Sequence, residues 1–184
     1  VYAATGYVAS HIPAELNVGE FGSGGSTLYW LAKGASVVTV EHDYQWAQKV
    51  QEKVTSQQQD SLDIRVVEPE PLKTSGPEVN TEYRSNNHMF QDYSFRRYAH
   101  ALDDLPAESL DLIPIDGRAR SSSLRAAFDK LRPGGLVVFD NSDRLEYAPA
   151  LTWAEERGVS WKHFVGPVPC HPSYSQTSVG HYRR

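Results

Sequence analysis

The stretch "LNVGEFGSGGSTLYWLAKGASVVTVEHD" (Leu16–Asp43) constrains this chain more than any other. A short apolar run, Leu16–Phe21, stops at the closely spaced Gly22, Gly24 and Gly25. "STLYWLAKG" has helical character, with Ser26 or Thr27 as its expected N-cap and Gly34 suited to its C-terminal end. The β-branched run "SVVTVE" (Ser36–Glu41) then has strand length and ends in an acid. Glycines at a strand-to-helix turn allow tight geometry and close approach of a ligand. The loop therefore has the outline of a nucleotide-type cofactor site.

The rest of the chain repeats the alternation. Residues 2–12 predict a short leading helix. "YQWAQKVQEKVTSQQ" carries Trp46, Ala47, Val50 and Val54 at helical spacing, and Leu62–Glu68 predicts a third strand. "SFRRYAHALDDL" predicts a helix, Leu110–Asp116 a fourth strand, "SSLRAAFDKLRPGG" a helix ending in a turn, and Leu136–Asn141 a fifth strand. Pro114 sits awkwardly in the fourth, because Pro removes a ladder hydrogen bond. "ALTWAEERG" predicts a last helix, and "SWKHFVG" and "QTSVGHYR" predict two consecutive strands. Alternating strands and helices indicate an α/β fold with a parallel sheet. The two late strands predict a terminal antiparallel hairpin. The expected organisation is a single domain over residues 1–184 with an irregular insertion or lid at about 69–94.

Ligands of such sheets lie beyond the carboxyl ends of the strands, so the glycine loop can be tested against known cofactors. A dinucleotide site needs G-x-G-x-x-G, and Thr27 stands at the third position. A P-loop needs Lys-Ser/Thr after its glycines, and no Lys follows here. What remains is Glu20, Gly22 and Gly24, with Glu41 closing the second strand. An acid there can accept hydrogen bonds from ribose hydroxyls. Glu20 would repel a pyrophosphate and suits a cationic ligand. S-adenosylmethionine has a ribose and positive charge, and no phosphate.

The chain at this point resembles the Rossmann-like (class I) S-adenosylmethionine-dependent methyltransferases, over about residues 16–182. The carriers are "EFGSGG", Glu41, "LPAESLDLIPIDG" and "LRPGGLVVFDN". Ser26 replaces the family's usual third glycine. The resemblance implies a doubly wound, mostly parallel seven-stranded sheet with an antiparallel C-terminal strand. It implies cofactor contacts from Glu20, Gly22, Ser23, Gly24, Ser26, Thr27, Glu41, His42, Asp116 and Gly117, and methyl transfer to a small-molecule acceptor. The alternative is a non-catalytic S-adenosylmethionine- or nucleotide-binding module of the same fold. Thr27 disfavours a nicotinamide-dependent oxidoreductase.

"PIDGRAR" and "VFDNSDR" add a second cluster. If the family's strand order holds, Asp116 and the Asp140–Asn141 pair end neighbouring strands. This is similar to the cation-dependent O-methyltransferases, and it implies Mg²⁺ on Asp116, Asp140 and Asn141 and an oxygen acceptor; the alternative is that Asp116 touches the cofactor and Asp140–Asn141 caps a turn without metal. Ala119 stands where that subfamily has a lysine base, and arginine cannot replace one; the catalytic base stays unassigned. Arg118, Arg120 and Arg144 either clamp an anionic substrate or are solvated surface arginines. His88 and His100 are candidate bases, against an ordinary surface role. Tyr83, Phe90, Tyr93 and Phe95 either form a lid or pack the segment down. Cys170–His171 reads as structural.

The net charge of −5 argues against general nucleic-acid binding. A lone cysteine excludes an internal disulfide and suits a cytoplasmic protein. No apolar run approaches the roughly 20 residues of a membrane helix, and the first residues show no signal-peptide pattern. The first residue is not Met, which leaves room for residues upstream. The expected partner is a small-molecule substrate; a homo-oligomer stays open.

Overall fold

The computed structural model describes residues 1–13, 15–72, 82–168 and 173–183. Helix α1 (Tyr2–Ala9) leads into β1 (Asn17–Phe21), α2 (Gly25–Ala32), β2 (Ser36–Glu41), α3 (Tyr44–Gln51) and β3 (Leu62–Val66). Two two-residue strands, β4 (Glu70–Pro71) and β5 (Tyr93–Ser94), precede α4 (Arg96–Ala99), β6 (Leu110–Ile115), α5 (Arg120–Ala127) and β7 (Leu131–Asp140). Helix α6 (Ala148–Glu155) and the hairpin β8 (Val159–Pro167) and β9 (Tyr174–Tyr182) complete the chain.

Seven strands form one sheet in the order β3-β2-β1-β6-β7-β9-β8. β9 is antiparallel to both neighbours, and the other pairs are parallel. This is the expected doubly wound, mostly parallel sheet with its antiparallel C-terminal strand. The chain runs outward from β1 to β3 and then returns to place β6 on the other side of β1. That reversal opens a crevice at the carboxyl ends of β1 and β6.

The sheet is covered on both faces, so its central strands are apolar throughout. Along β6, Leu112 joins one core with α1 and α2, through Ala4, Val8, Trp30 and Leu31. Its neighbours Ile113 and Ile115 point the other way, to Tyr98, Leu124 and Leu151 of α4, α5 and α6. This is the period of two that a strand imposes. Pro114 is accommodated by a gap: β1 and β6 pair at Val18–Leu112 and Phe21–Ile115, with no pairing recorded between.

Several elements differ from expectation: α1 ends at Ala9, α3 ends at Gln51 with Val54 beyond it, and three further departures shape the sheet. Helix α4 stops at Ala99, and the chain turns repeatedly until β6, with Leu102 plugged into the core. Helix α5 stops at Ala127 and β7 begins at Leu131, before the expected Leu136. The register jumps from Leu110–Leu131 to Leu112–Leu136, so Arg132–Gly135 bulge out opposite Asp111. Gly134 has a φ of 82°, the left-handed conformation such a bulge requires. Buried Asp111 holds the bulge by pairing with Arg132 and accepting the Asn17 N–H at 2.7 Å. The segment expected to be irregular is pinned at its base by antiparallel pairing of Glu70 with Ser94 and Pro71 with Tyr93; residues 73–81 lie outside the described residues.

Ile113, fully buried at the centre of the sheet, gives a measure of core packing. Ile113→Ala is expected to lower unfolding free energy by about 3 kcal/mol. Urea denaturation checks this, and a loss below about 1 kcal/mol would place Ile113 in a looser core than this sheet implies.

Candidate active site

The glycine loop is tied down from two sides by buried carboxylates. Glu20, at 1% exposure, lies beneath the loop. It accepts hydrogen bonds from Ser26 Oγ at 2.5 Å, from Thr39 Oγ1 at 2.9 Å and from Thr27 Oγ1. Thr27 Oγ1 in turn accepts the Gly24 N–H at 2.8 Å. The residue that spoils a dinucleotide fingerprint is therefore the clasp that folds this loop. Neither Ser26 nor Thr27 is the N-cap of α2; Gly24 is, and Thr27, three residues into the turn, reaches back to its N–H. Burial pushes the Glu20 carboxyl up to about 7, with the three hydroxyls pulling the other way.

Glu41 grips the loop from the end of β2. Its Oε2 accepts from the N–H and the hydroxyl of Ser23, both at 3.0 Å. Its Oε1 accepts from the backbone of His42 and Asp43, at 2.8 and 3.0 Å, and lies 2.6 Å from His42 Nδ1. Burial works against ionisation, but these donors outweigh it and hold the Glu41 carboxyl below its usual range. Trp46 Nε1 donates to the Ser23 carbonyl at 2.8 Å. Gly22 has a φ of 96°, and a Cβ there would lie 2.8 Å from Gly117 Cα. The turns after β1 and β6 touch only because both residues are glycine.

Two cavities meet at this contact. One, about 550 Å³, lies between α1 and the start of α2, with Pro114–Asp116, Asp140 and Thr177 along its floor. The other, about 480 Å³, is bounded by Glu41, His42, Asp43, Phe90 and Arg118. Gly22, Ser23, Trp46 and Asp116 line both. His42 is held between Glu41 and the Arg118 Nε, which donates to its Nε2 at 3.2 Å, and it meets Phe90 edge-on at 5.3 Å. The result is a trough that runs over the glycine loop at the crevice between β1 and β6.

Residues 20–142 match the methyltransferase domain family. The chain belongs to that family. The rRNA methylase of Streptococcus thermophilus has the same fold, with a TM-score of 0.66 at 11% identity, over 99% of this chain and 95% of that one. The C-terminal domain of precorrin-6Y C5,15-methyltransferase from Rhodobacter capsulatus superposes with a TM-score of 0.57 at 16% identity, over 96% and 85%. The O-methyltransferase TomG of Streptomyces achromogenes, solved with S-adenosylmethionine, gives 0.60 at 14% identity, over 91% and 73%. No curated protein matches the chain. The sheet order and the glycine loop thus belong to a class I, S-adenosylmethionine-dependent methyltransferase fold.

Against that family background, the second cluster departs from expectation. Asp116, Asp140 and Asn141 do converge, but on the guanidinium of Arg120. Arg120 Nη2 donates to Asp116 Oδ1 at 2.7 Å. Its Nη1 donates to the Asp140 carbonyl at 2.5 Å and to Asn141 Oδ1 at 2.9 Å, and lies 3.8 Å from Asp140 Oδ2. The Asp140 Oδ1 accepts from Thr177 Oγ1 at 2.6 Å, and Asn141 Nδ2 donates to Ser175 Oγ at 2.7 Å. Asp116 Oδ1 and Asn141 Oδ1, two of the oxygens expected to hold Mg²⁺, bond instead to a cation the protein carries itself, and that cation lies 3.8 Å from Asp140 Oδ2. Among the described residues, no group of three or more His, Cys, Asp or Glu could hold a metal. The methyltransferase trough therefore does not fit a divalent ion at this place.

Asp116 keeps 64% of its side chain accessible and lines both cavities. Desolvation by the cleft walls and the nearby Asp140 push its carboxyl up, while Arg120 and the solvent that still reaches the exposed side chain hold the rise down. Of the remaining candidates, Phe95 is fully buried, so it belongs to the core. Phe90 packs on that core and walls the trough. Tyr83 bonds His100 at 3.0 Å, and His100 lies 2.9 Å from Asp103. Cys170 and His171 lie outside the described residues. Trp46, Met89 and Thr177 line the site without having been expected there. A polar indole edge at helix spacing was the available signal for Trp46, whereas Met89 and Thr177 arrive only through tertiary packing.

Two outcomes are expected. Arg120→Ala leaves two carboxylates facing each other and should cost about 3 kcal/mol of stability; Arg120→Lys, lacking the fork, should recover less than half. Urea unfolding measures both, and a neutral Arg120→Ala would mean that the guanidinium does not hold the cluster. Glu20 has a folded pKa above its ordinary 4.5, so its contribution favours folding at low pH and is lost as pH rises from about 4.5 through 7. Relative to Glu20→Gln, the native chain should lose up to about 3 kcal/mol over that window. Parallel stability curves for the two would refute this.

Proposed function

We propose that the chain moves a methyl group from S-adenosylmethionine to a hydroxyl oxygen of a small-molecule acceptor. The observation that supports it most is the paired cavity meeting at Gly22, Ser23 and Asp116 beyond β1 and β6. The residues suit the cofactor. The Gly22–Gly117 contact leaves a cradle that a Cβ would fill. The cavity at Glu41, His42 and Phe90 suits the adenosine, and the cavity at Gly24–Ser26 suits the methionine. Glu41 already has five donors, so a ribose hydroxyl would replace Ser23 Oγ, the donor that can rotate away. Glu20 faces the loop hydroxyls instead of a cavity, so its role is to shape the loop.

The bound cofactor supplies an activated methyl on a sulfonium. The protein's task is to position a nucleophile in line with it and to take up a proton. The oxygen acceptor was first expected from a metal-bound hydroxyl. With Arg120 seated among Asp116, Asp140 and Asn141, we assign the proton-accepting part to Asp116 instead. It lies in both cavities, its carboxyl is raised, and Arg120 binds its Oδ1.

Native mass spectrometry and calorimetry should show binding of S-adenosylmethionine and its demethylated product, and none of NAD. Gly25 has open space around an added Cβ, so Gly25→Trp should keep the fold and weaken binding about tenfold or more by filling the cavity. Asp116→Asn should retain cofactor binding and lose turnover by about 100-fold, the size of a general-base contribution. Binding of NAD alone would overturn the reading. Saturable cofactor binding without turnover on a broad hydroxyl panel would replace the enzyme by a binding module.

A further inference from the structure

A third cavity, about 570 Å³, opens between residues 82–88, the turn from Gly117 into α5 and the start of α6. It is separate from the trough apart from the wall residues Asn87, Gly117 and Arg118. Its lining is unusual for a chain of net charge −5: Arg84, Arg118, Arg120, Arg125 and Arg144 all contribute, against the carboxylates of Glu82 and Glu146.

The charges do not cancel. Arg120 is committed to Asp116 and Asn141. Arg125 lies 3.9 Å from Glu82, and its Nε is buried with no hydrogen-bond partner among the described residues. Glu146 accepts from Asn86 Nδ2 at 3.0 Å. Arg118 is bonded to His42 Nε2 and lies over the Phe90 ring at 5.0 Å. Arg84 has a buried Nε that also lacks a hydrogen-bond partner among the described residues. Neither Arg84 nor Arg144 has an ion pair among the described residues. The two buried Nε atoms are closed off from the cavity, and it is the guanidinium groups lining it, short of counter-charge, that a planar or tetrahedral oxyanion would satisfy.

We infer that this arginine-lined cavity is a binding site for a small molecule bearing a phosphate or carboxylate group, held by Arg84, Arg118, Arg125 and Arg144. The volume lies in the range of small-molecule sites, roughly 300–1,000 Å³. The concave shape and the acidic balance of the whole chain favour a small anion over a nucleic-acid strand, which needs an extended basic surface. The inference does not depend on methyl transfer, because the cavity can be loaded without the cofactor.

The test is calorimetric titration at low ionic strength with pyrophosphate and with citrate, in the native chain, Arg84→Ala and Arg144→Ala. Circular dichroism and binding of the demethylated cofactor product serve as controls for folding. The native chain should bind at least one probe, and each variant should weaken that binding about tenfold. The preferred probe tells phosphate from carboxylate. No binding of either probe, or binding unchanged in both variants, would overturn the site. So would a single-stranded RNA decamer bound about 100-fold more tightly than pyrophosphate and lost in the same variants, since the surface would then serve nucleic acid. Anion binding without any cofactor binding would sink the proposed function and leave this site standing.

Discussion

The contact between Gly22 and Gly117 is the constraint on which the site depends. Parallel strands end where the chain must turn back over the sheet, and at the β1–β6 reversal two such turns share one small space. A Cβ on Gly22 would lie 2.8 Å from the Gly117 backbone, and one on Gly117 would strike the Tyr98 hydroxyl. Tyr98 cannot move aside, because it is buried and its hydroxyl donates to the Val40 carbonyl at 3.2 Å. Gly22, Gly117 and the core beneath them are therefore a single packing unit. The trough exists because neither turn carries a side chain there.

Around that contact, charge is used mainly to hold the backbone. Glu20 and Glu41 resemble ligand-binding acids in the sequence, yet both are buried and fully engaged with donors from their own chain. Such a loop is pre-organised before any ligand arrives, which reduces the ordering cost of binding. The same economy appears at Arg120. Two carboxylates and an amide at the ends of adjacent strands would repel or stay unsatisfied alone, and the planar guanidinium bonds the Asp116 carboxylate and the Asn141 amide at once while lying 3.8 Å from the Asp140 carboxylate. Asp116 is the exception, since it remains accessible in the trough.

The fold was legible because its signals are local. The β-branched run of β2, the apolar β6 and the three glycines each declare themselves within a few residues. The departures came from contacts distant in sequence. β7 starts early because Asp111 and Arg132 pair across the bulge, and α4 stops short as Leu102 enters the core. At the site, the glycine loop and Glu41 could be read from spacing. Arg120 could not, because its fork had to be seen pointing back at Asp116, Asp140 and Asn141.

The sequence by itself determined the α/β alternation, the turn at Gly22, and the exclusion of dinucleotide and P-loop patterns by Thr27 and the missing lysine. These follow from backbone freedom and side-chain periodicity, which act over a few residues. Only the tertiary structure decided that Thr27 and Ser26 clasp Glu20, that a guanidinium takes the place expected for a metal, and that arginines from three separate segments line one cavity. Those outcomes depend on which side chains the sheet order brings within hydrogen-bonding distance, and spacing along the chain carries no record of that.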